Sequence, residues 1–425
     1  RCAYRHHRAR AVFTAIGQGT GQRDALAGYS YIGKVKCMKI AFLVPYPVWP
    51  PDSGTRIRNM QMLRYLAKHC QIHLLVVSSQ QIVEPEGLQL AGTQRFDPGP
   101  ASIGDTFARH LRMRPTTHRS TLRVQINAAL AQLQPQALIA VGTASAQFID
   151  FNAKVPGMRY FFDEAGTDHL RTRRLRELET TPWTRLKLTW DEWRLQRYER
   201  YFCQRADFLL TVVPGEAEYL RRTQQTPVGL VPCGANLDLF NFHYAGDDNT
   251  TMLFCGDMAY EPNEDALAYF LERIFPLIAQ SHPDARFVAV GRYRGERLPR
   301  LAARFPQVEL TGYVEEMDPQ WRRASIFVNP MRQGRGFITK IMDAFTAGLA
   351  VVSTNFLMDE LGIEEGVHFL SADNERQFAQ KVCQLLENPE RKRTLIYQAR
   401  SFAEANGWEA AFAALGEALG LEEKL

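Results

Sequence analysis

The sequence predicts two doubly wound α/β domains in tandem, each built on a mainly parallel sheet with helices on both faces. The chain has 425 residues, which is too long for one ordinary hydrophobic core. Short apolar runs alternate with longer helical patterns, and this is the order of βαβ units. The alternation stops at a polar, turn-rich stretch at residues 241–249 and then starts again, which indicates a linker between two domains.

The first half of the chain opens its alternation at Met38. Strands are predicted at residues 39–44, 71–77, 137–141, 158–163, 207–212 and 228–231, with a helix at 55–68. These runs are almost wholly apolar, as expected for parallel strands that are buried on both faces. They predict an N-terminal Rossmann-like domain over residues 38–241.

The second half repeats this pattern after the linker. Strands are predicted at residues 251–255, 286–290, 325–329 and 350–353, and helices at 374–386, 391–405 and 408–419. We expect a second Rossmann-like domain over residues 250–400, and helices in 401–425 that pack back on the first. Open α/β sheets bind ligands at the carboxyl ends of their strands, so a ligand is expected in a cleft between the domains.

Composition limits the compartment and the class of protein. No apolar run reaches the roughly 18 residues of a membrane span. The seven cysteines form no CxxC pair, and no histidine cluster has metal-ligand spacing, which favours a reducing compartment and no metal site. We therefore expect a cytoplasmic protein. Residues 1–37 lack periodicity and a signal-peptide core, so they are expected to be a non-native or disordered extension before a natural start at Met38.

Basic residues are concentrated in two stretches, although the net charge is only +5. They are residues 109–123 and residues 171–205; the second stretch begins with Arg171, ends with Arg205 and includes Trp183, Trp190 and Trp193. One interpretation is a site for a membrane surface, peripheral at the inner face of the plasma membrane, or for a lipid diphosphate. The other, which we favour at this point, is a solvated helix pair with core tryptophans. Without a recognition motif, nucleic-acid binding is not expected.

The stretch 329–354, NPMRQGRGFITKIMDAFTAGLAVVST, has the order strand end, glycine loop, helix and strand. Gly334 and Gly336 let the backbone approach a ligand, and a helix beginning near Phe337 offers free N–H groups to a diphosphate. Lys340 and Asp343 share one helix face, so an ammonium for phosphate lies a turn before a carboxylate for ribose hydroxyls. A solvated Lys–Asp pair is the alternative, but the apolar residues around them favour a ligand site.

The motif MDAFTAGLAVV within this stretch resembles "EAMACGxPVV" of the retaining glycosyltransferases of family 4, which have the GT-B fold. The resemblance puts Asp343 where that family has a glutamate that contacts the ribose of the donor. The family's earlier acidic residue, eight positions upstream, corresponds here to Arg335. The contacts of the family to the donor sugar are therefore not carried over to this chain.

Three further motifs extend the resemblance from Met38 to about Leu419. They are MKIAFLVPYPVWPPDSGTRIRNMQMLRYLAK, LVPCGANLDLF and TMLFCGDMAYEPNEDALAYFLERIFPLI. The last is similar to a variant typical of sugar transferases from exopolysaccharide clusters, including those associated with PEP-CTERM exosortase systems. Many family members hold phosphates with an Arg and a Lys in the loop after the strand that begins this motif. This chain has Asp257, Met258, Glu261 and Asn263 there, which leaves the phosphate charge chiefly to Lys340, with Arg335 or Arg292.

The site residues implied by the motifs and the resemblance fall into two groups. The candidate catalytic residues are Lys340, Asp343 and Asp163. The candidate donor-binding residues are Gly54, Gly291, Arg292, Gly312, Tyr313, Val314, Gly334, Arg335, Gly336, Phe337 and Ile338. Gly54 leaves room for donor phosphates or acceptor, and the loop at 312–314 is expected to pack on the nucleobase. Asp163, followed by Glu164 and His169, either orients the acceptor hydroxyl or caps a helix near Thr167.

The resemblance implies a metal-independent, retaining glycosyltransferase without a cofactor. It would move a sugar from a nucleotide-diphosphate sugar to a glycan or polyprenyl-linked acceptor in exopolysaccharide or cell-surface polysaccharide synthesis. One alternative is a nucleotide-sugar epimerase, for which the sequence offers no convincing acid–base set. Another is a non-catalytic nucleotide-sugar-binding partner, suggested by Arg335 and the missing phosphate-loop cations. No GxGxxG follows the first strand, which argues against a dinucleotide oxidoreductase.

Overall fold

The computed structural model describes residues 38–51, 53–83, 87–99, 120–153, 155–164, 166–238, 240–333, 339–356 and 362–421. The described residues divide into two compact units. The first unit comprises those up to Pro232 together with those from Ala411, and the second unit is Cys233–Ala410. The stretch 241–249, predicted as a linker, lies within the second unit. The predicted extension at residues 1–37 lies outside the described residues.

The first unit is built on a seven-stranded parallel sheet. Its strands are β1 (Met38–Val44), β2 (Cys70–Val77), β3 (Gly92–Phe96), β4 (Ala137–Val141), β5 (Arg159–Glu164), β6 (Phe208–Thr211) and β7 (Val228–Leu230). The helices between them are α1 (Gly54–Ala67), α2 (Ser120–Leu133), α3 (Gly142–Ala146), α4 (Asp168–Leu178), α5 (Pro182–Cys203) and α6 (Pro214–Thr223). The strand order is β3-β2-β1-β4-β5-β6-β7.

The second unit is built on a six-stranded parallel sheet. Its strands are β8 (Thr251–Cys255), β9 (Arg286–Val290), β10 (Val308–Gly312), β11 (Ile326–Asn329), β12 (Ala350–Thr354) and β13 (Leu370–Ala372). Its helices are α7 (Glu261–Tyr269), which continues as a π-helical turn (Phe270–Ile274), α8 (Phe275–Ser281), α9 (Arg297–Ala302), α10 (Asp318–Arg322), α11 (Thr339–Ala347), α12 (Glu375–Glu387) and α13 (Pro389–Ala405).

The last helix, α14 (Trp408–Leu419), packs on the first unit from Ala411 onward. The ring of Phe412 lies 5.5 Å from that of Tyr65, measured between centroids. Arg159 donates a 2.6 Å hydrogen bond from Nη2 to the carbonyl of Ala418. One apolar and one polar contact therefore fix this helix against α1 and β5.

The central strands of both sheets are buried on two faces, as their unbroken apolar runs predict. In β8, Met252 and Phe254 belong to one apolar cluster, whereas Leu253, between them, belongs to the cluster on the other face. All three side chains are fully buried. Because side chains alternate along a strand, the five residues of β8 contribute apolar side chains to the core on both faces of the sheet.

The strand orders make both units doubly wound. The second sheet, β10-β9-β8-β11-β12-β13, has the same order as the first six strands of the first sheet. In each, the direction of winding reverses between two neighbouring strands, β1 and β4 in the first sheet and β8 and β11 in the second. The prediction of two Rossmann-like α/β domains is confirmed. No helix among the described residues is both long and apolar enough to cross a membrane.

Candidate active site

The reversal point of the second sheet brings together the loops that carry most of the predicted site. β8 and β11 are neighbours, so Cys255 and Asn329 end side by side at the carboxyl edge. The chain leaves β8 into Gly256 and leaves β11 towards α11. In open α/β sheets this is the position at which ligands bind.

Two glycines let the loops at this edge close on one another. The Gly256 N–H donates to the carbonyl of Val290 (3.0 Å), and the Gly291 N–H donates to that of Gly312 (2.9 Å). Gly291 has φ +135°, and a Cβ there would lie 1.8 Å from the carbonyl oxygen of Gly256. Only glycine fits, because the atom in the way belongs to the backbone.

We expect Gly291→Ala to lower the free energy of unfolding of the second unit by about 1–3 kcal/mol, because the loop after β8 must move to admit the methyl group. Gly295→Ala is the matched control, since Gly295 also has a positive φ of +70° but no atom within 4 Å of its Cβ position. Denaturant unfolding measures both. Equal losses in the two variants would contradict the close approach of the loops.

Lys340 lies in the first turn of α11, with its ammonium beside the loop after β8. Nζ donates a 2.8 Å hydrogen bond to Oδ1 of Asn263 and lies 4.5 Å from the centre of the Phe254 ring. A Cβ on Gly256 would stand 3.0 Å from the same ammonium. Burial lowers the pKa of Lys340 to about 8, against the opposing influence of Cys255 and Asp343. A poorly hydrated ammonium gains strongly when an anion binds.

Asp343 lies one turn further along α11 and is held by a short chain of hydrogen bonds. Its Oδ1 accepts from Nδ2 of Asn236 (2.7 Å), and Oδ1 of Asn236 accepts from Nε1 of Trp408 (2.8 Å). Burial raises the pKa of Asp343 to about 7, opposed by the Asn236 hydrogen bond and the charge of Lys340. The chain fixes the carboxylate in one orientation, as a binding group for hydroxyls requires.

A pocket of about 360 Å³ adjoins the glycine contact. It is lined by Asp257, Ala259, Arg292, Tyr293, Arg294, Gly312 and Tyr313. Arg292 makes a 2.7 Å ion pair with Asp257, but 57% of its side chain is exposed. Such a pair contributes less than about 1 kcal/mol, so Arg292 can turn to a bound anion at little cost. The Tyr313 ring is 66% exposed, whereas Val314 packs against an apolar cluster.

Some predicted residues lie elsewhere or are not described. Gly334, Arg335, Gly336, Phe337 and Ile338 lie outside the described residues, as does most of the basic stretch 109–123. Gly54 is the first residue of α1, at the carboxyl end of β1 in the first unit. In the second unit, Gly256 and its loop connect Lys340, Gly291, Arg292 and Gly312. Gly54 and Asp163 belong to the first unit.

Asp163 is fully buried and both of its carboxylate oxygens are bound by Arg58. Nη1 of Arg58 lies 2.6 Å from Oδ2 and Nη2 lies 3.0 Å from Oδ1. The exposed fractions of the two side chains are 2% and 0%. The geometry assigns Asp163 to this ion pair, and a direct contact with an acceptor hydroxyl would require the pair to open. At the start of α4, the N–H groups of Thr167 and His169 donate to Glu216 (3.1 Å) and Glu199 (3.2 Å), not to Asp163.

Glu164 and His169 belong to a buried polar cluster beside this pair. His169 bonds through Nδ1 to Glu199 and through Nε2 to the Tyr219 hydroxyl (3.1 Å). Glu164 is 3% exposed, and its Oε2 has no hydrogen-bond partner among the described residues. Burial, reinforced by Glu199 and other nearby carboxylates, raises the pKa of Glu164 well above its usual value. The protonated form is therefore favoured in the folded state.

We expect Glu164→Gln to stabilise the protein at pH 8 and not at pH 5. A raised pKa in the folded state contributes stability that is present below the unfolded pKa and is lost as the pH rises, and glutamine removes this loss. The midpoint of thermal unfolding should rise by at least about 2 °C at pH 8. Scanning calorimetry at both pH values measures it, with exposed Glu218→Gln as control. A lower midpoint at pH 8 would contradict a protonated Glu164.

Residues 171–205 form the predicted helix pair, α4 and α5, but their tryptophans are not core residues, so that part of the favoured interpretation is wrong. Trp183, Trp190 and Trp193 are 80%, 52% and 45% exposed on α5. The sequence pattern misleads because a surface helix with aromatic residues at helical spacing has the same period as a buried one.

The sequence resemblance to glycosyltransferases is confirmed by comparison with known proteins. Residues 249–388, which form most of the second unit, match the family described as "Glycosyl transferases group 1". The matched region includes Lys340, Asp343 and the glycine contact. It does not include the first unit.

Solved structures show that the fold is that of the GT-B glycosyltransferases. Sucrose-phosphate synthase from Thermosynechococcus elongatus is similar with a TM-score of 0.68 and 17% identity, covering 90% of this chain and 98% of that one. HepE from Anabaena, solved in complex with UDP and glucose, is similar with a TM-score of 0.63 and 13% identity, covering 90% and 99%.

A curated relative from Klebsiella pneumoniae is described as an uncharacterized 44.6 kDa protein in the cps region. It is 24% identical over 176 residues, which are 40% of this chain. The alignment spans 44% of the relative's own length.

Sequence reasoning missed the residues that orient the two charged groups. Asn236 was included only as part of the motif LVPCGANLDLF, and Asn263 was named only as a residue that stands in place of the phosphate-loop cations. Both are buried polar residues, and a polar residue in an apolar motif is a usable signal. Trp408 stands 172 residues from Asn236, so no local pattern connects them.

Proposed function

We propose that the protein is a retaining glycosyltransferase that moves a sugar from a nucleotide diphosphate to an acceptor hydroxyl. The observation that carries the proposal is the pair Lys340 and Asp343 on α11, beside the close contact of Gly256 and Gly291 at the reversal point of the second sheet. The match of residues 249–388 to group 1 glycosyl transferases supports it. The likeness of the fold to a protein that holds UDP and glucose supports a nucleotide-sugar donor.

The donor would lie along the carboxyl edge of the second sheet. We assign the diphosphate to Lys340 and the N-terminal turn of α11, because an ammonium and free N–H groups favour an anion. Asp343 accepts hydrogen bonds from the ribose hydroxyls. The nucleobase occupies the pocket at residues 312–314, where the exposed Tyr313 ring offers a stacking surface.

In the transfer, the bond between the anomeric carbon and the diphosphate oxygen breaks, and the electron pair leaves with the diphosphate. The acceptor oxygen forms its bond to the anomeric carbon on the same face, and its proton passes to the departing diphosphate oxygen. Lys340 stabilises the negative charge that grows on the diphosphate, and Arg292 adds to it by leaving Asp257. Because this charge is met by protein groups, we propose that neither a metal ion nor a covalent nucleophile is required.

We propose a glycan or polyprenyl-linked acceptor and a role in exopolysaccharide or cell-surface polysaccharide synthesis. The relative from the cps region of Klebsiella pneumoniae supports this role. The proposed location is cytoplasmic, peripheral at the inner face of the plasma membrane through residues 171–205.

In the first unit, the pair of Asp163 with Arg58 would fix the carboxyl ends of β5 and β7, because Arg58 also donates to the carbonyl of Val231 (3.2 Å).

Turnover of a panel of UDP- and GDP-sugars tests the proposal. We expect release of the nucleoside diphosphate from one donor, undiminished by excess EDTA, and a product whose anomeric configuration by NMR equals that of the donor. Binding of a donor without release under any condition would favour the non-catalytic partner instead. Inversion of configuration, or loss of turnover in EDTA, would overturn the proposed mechanism.

A further inference from the structure

The exposed face of α5 carries an unusual set of side chains for a surface helix. Trp183, Leu186, Trp190 and Trp193 recur at spacings of three, four and three residues, so they share one face of the helix. Their exposed fractions run from 80% for Trp183 to 45% for Trp193. The rings of Trp190 and Trp193 stack on each other, with centroids 5.2 Å apart. We call these four residues the aromatic face.

The aromatic face lies where the helix stands clear of the rest of the first unit. Every residue from 180 to 187 is exposed, which includes the connection from α4 and the first turns of α5. Further along, Glu192 joins the two helices by accepting from Arg173 (2.7 Å) and pairing with Arg176 (3.2 Å). The helix pair is therefore tied together below its tip, and the tip itself presents Trp183 and Leu186 to solvent.

The charge around the aromatic face is positive. Residues 171–205 contain ten Lys and Arg and five Asp and Glu, a net charge of +5 that equals the charge of the whole chain. Arg185 and Lys187 flank Leu186 and are exposed, and Arg197 is exposed one turn beyond Trp193. A net positive charge thus lies in the same helix pair as the most exposed indoles of the protein.

We propose that the aromatic face docks on the surface of a bilayer that contains anionic lipids. Indoles prefer the boundary between headgroups and acyl chains, where the ring is buried and the N–H remains hydrated. Lysine and arginine beside them gain from the negative potential of anionic headgroups. Neither group alone suffices for stable binding, but an apolar face with a basic rim supplies both contributions. The inference deepens the proposed peripheral location and is independent of the proposed chemistry.

Sedimentation with vesicles tests the proposal, using phosphatidylcholine alone and an equimolar mixture with phosphatidylglycerol. We expect the full chain to bind the mixed vesicles, with a blue shift of tryptophan emission, and to bind phosphatidylcholine at least tenfold more weakly. Trp183→Gln/Trp190→Gln and Arg185→Gln/Lys187→Gln should each weaken binding to the mixed vesicles about tenfold or more. Tyr397→Gln, which removes a ring that is 50% exposed in the second unit, and Arg222→Gln/Arg304→Gln are the matched controls and should bind as the wild type.

Absence of binding to the mixed vesicles, or equal losses in the test and control variants, would overturn the proposal. The proposal would also be overturned if the protein did not bind vesicles but formed a complex with another protein through the aromatic face. Nucleotide binding measured on the same samples separates this proposal from the proposed function. Vesicle binding without nucleotide binding would leave the docking surface standing, and the converse would leave only the donor site.

Discussion

Replacing Lys340 with alanine is expected to lower kcat about 10²–10³-fold, the usual effect of removing one preorganised group that stabilises transition-state charge. Lys340 Nζ lies beside Gly256 at the carboxyl edge of β8, and in the proposed transfer the diphosphate carries more negative charge in the transition state than in the bound donor. The loss should therefore appear mainly in kcat and less in the affinity for the donor. Steady-state release of nucleoside diphosphate measures both.

Arg332→Ala is the control for this prediction. Arg332 also follows β11, but its guanidinium pairs with Asp265 at 2.6 Å and lies over the Tyr269 ring. It should keep activity within a few-fold of the wild type. A Lys340→Ala variant as active as the control would remove Lys340 from the mechanism.

Lys340 and Asp343 are expected to set the pH range of the proposed activity. The pKa of Lys340 is lowered to about 8, so its ammonium, and with it donor stabilisation, is lost as the pH rises through that value. The pKa of Asp343 is raised to about 7, so its carboxylate is lost as the pH falls through that value. The rate of nucleoside diphosphate release, measured against pH, should peak between these two pKa values. Lys340→Arg should shift only the alkaline limb of this profile, to higher pH.

Replacing Arg58 with methionine is expected to lower the free energy of unfolding of the first unit by about 3–5 kcal/mol, because it leaves the Asp163 carboxylate buried without a partner. Denaturant unfolding measures the loss. The double variant Arg58→Met/Asp163→Leu should recover much of it, since an apolar pair of similar volume carries no desolvation penalty. If the single variant lost less than about 1 kcal/mol, in the range of exposed ion pairs, Asp163 would be accessible to solvent after all.

The sequence predicts every central strand and misses three of the four edge strands described. The ten predicted strands correspond to observed ones within about two residues, as is usual for boundaries. The other three observed strands, β3, β10 and β13, are edge strands, whereas the fourth edge strand, β7, is predicted from its apolar run VGLV. The sequences of the three missed strands, GTQRF, VELTG and LSA, lack the unbroken apolar run because an edge strand is shielded by only one neighbour.

Some candidate site residues can be predicted from the sequence, and others cannot. Lys340 and Asp343 were found because their spacing on one helix is a local property. Partners that lie far apart along the chain were not found, such as Arg58 for Asp163, 105 residues away. The tryptophans of α5 were misjudged because period alone does not tell whether a helix face is covered. Long-range packing, rather than local pattern, decides these cases.

Calorimetric titration of the full chain with UDP and GDP tests the central claim most directly. We expect one of the two to bind to the wild type, and binding to weaken at least tenfold in Asp343→Ala, which removes the proposed acceptor for the ribose hydroxyls and leaves Nδ2 of Asn236 without its partner. Asp343→Asn, which preserves the shape, should lose less. Binding of neither nucleotide to the wild type, or equal binding by the wild type and Asp343→Ala, would contradict a donor site at the reversal point of the second sheet.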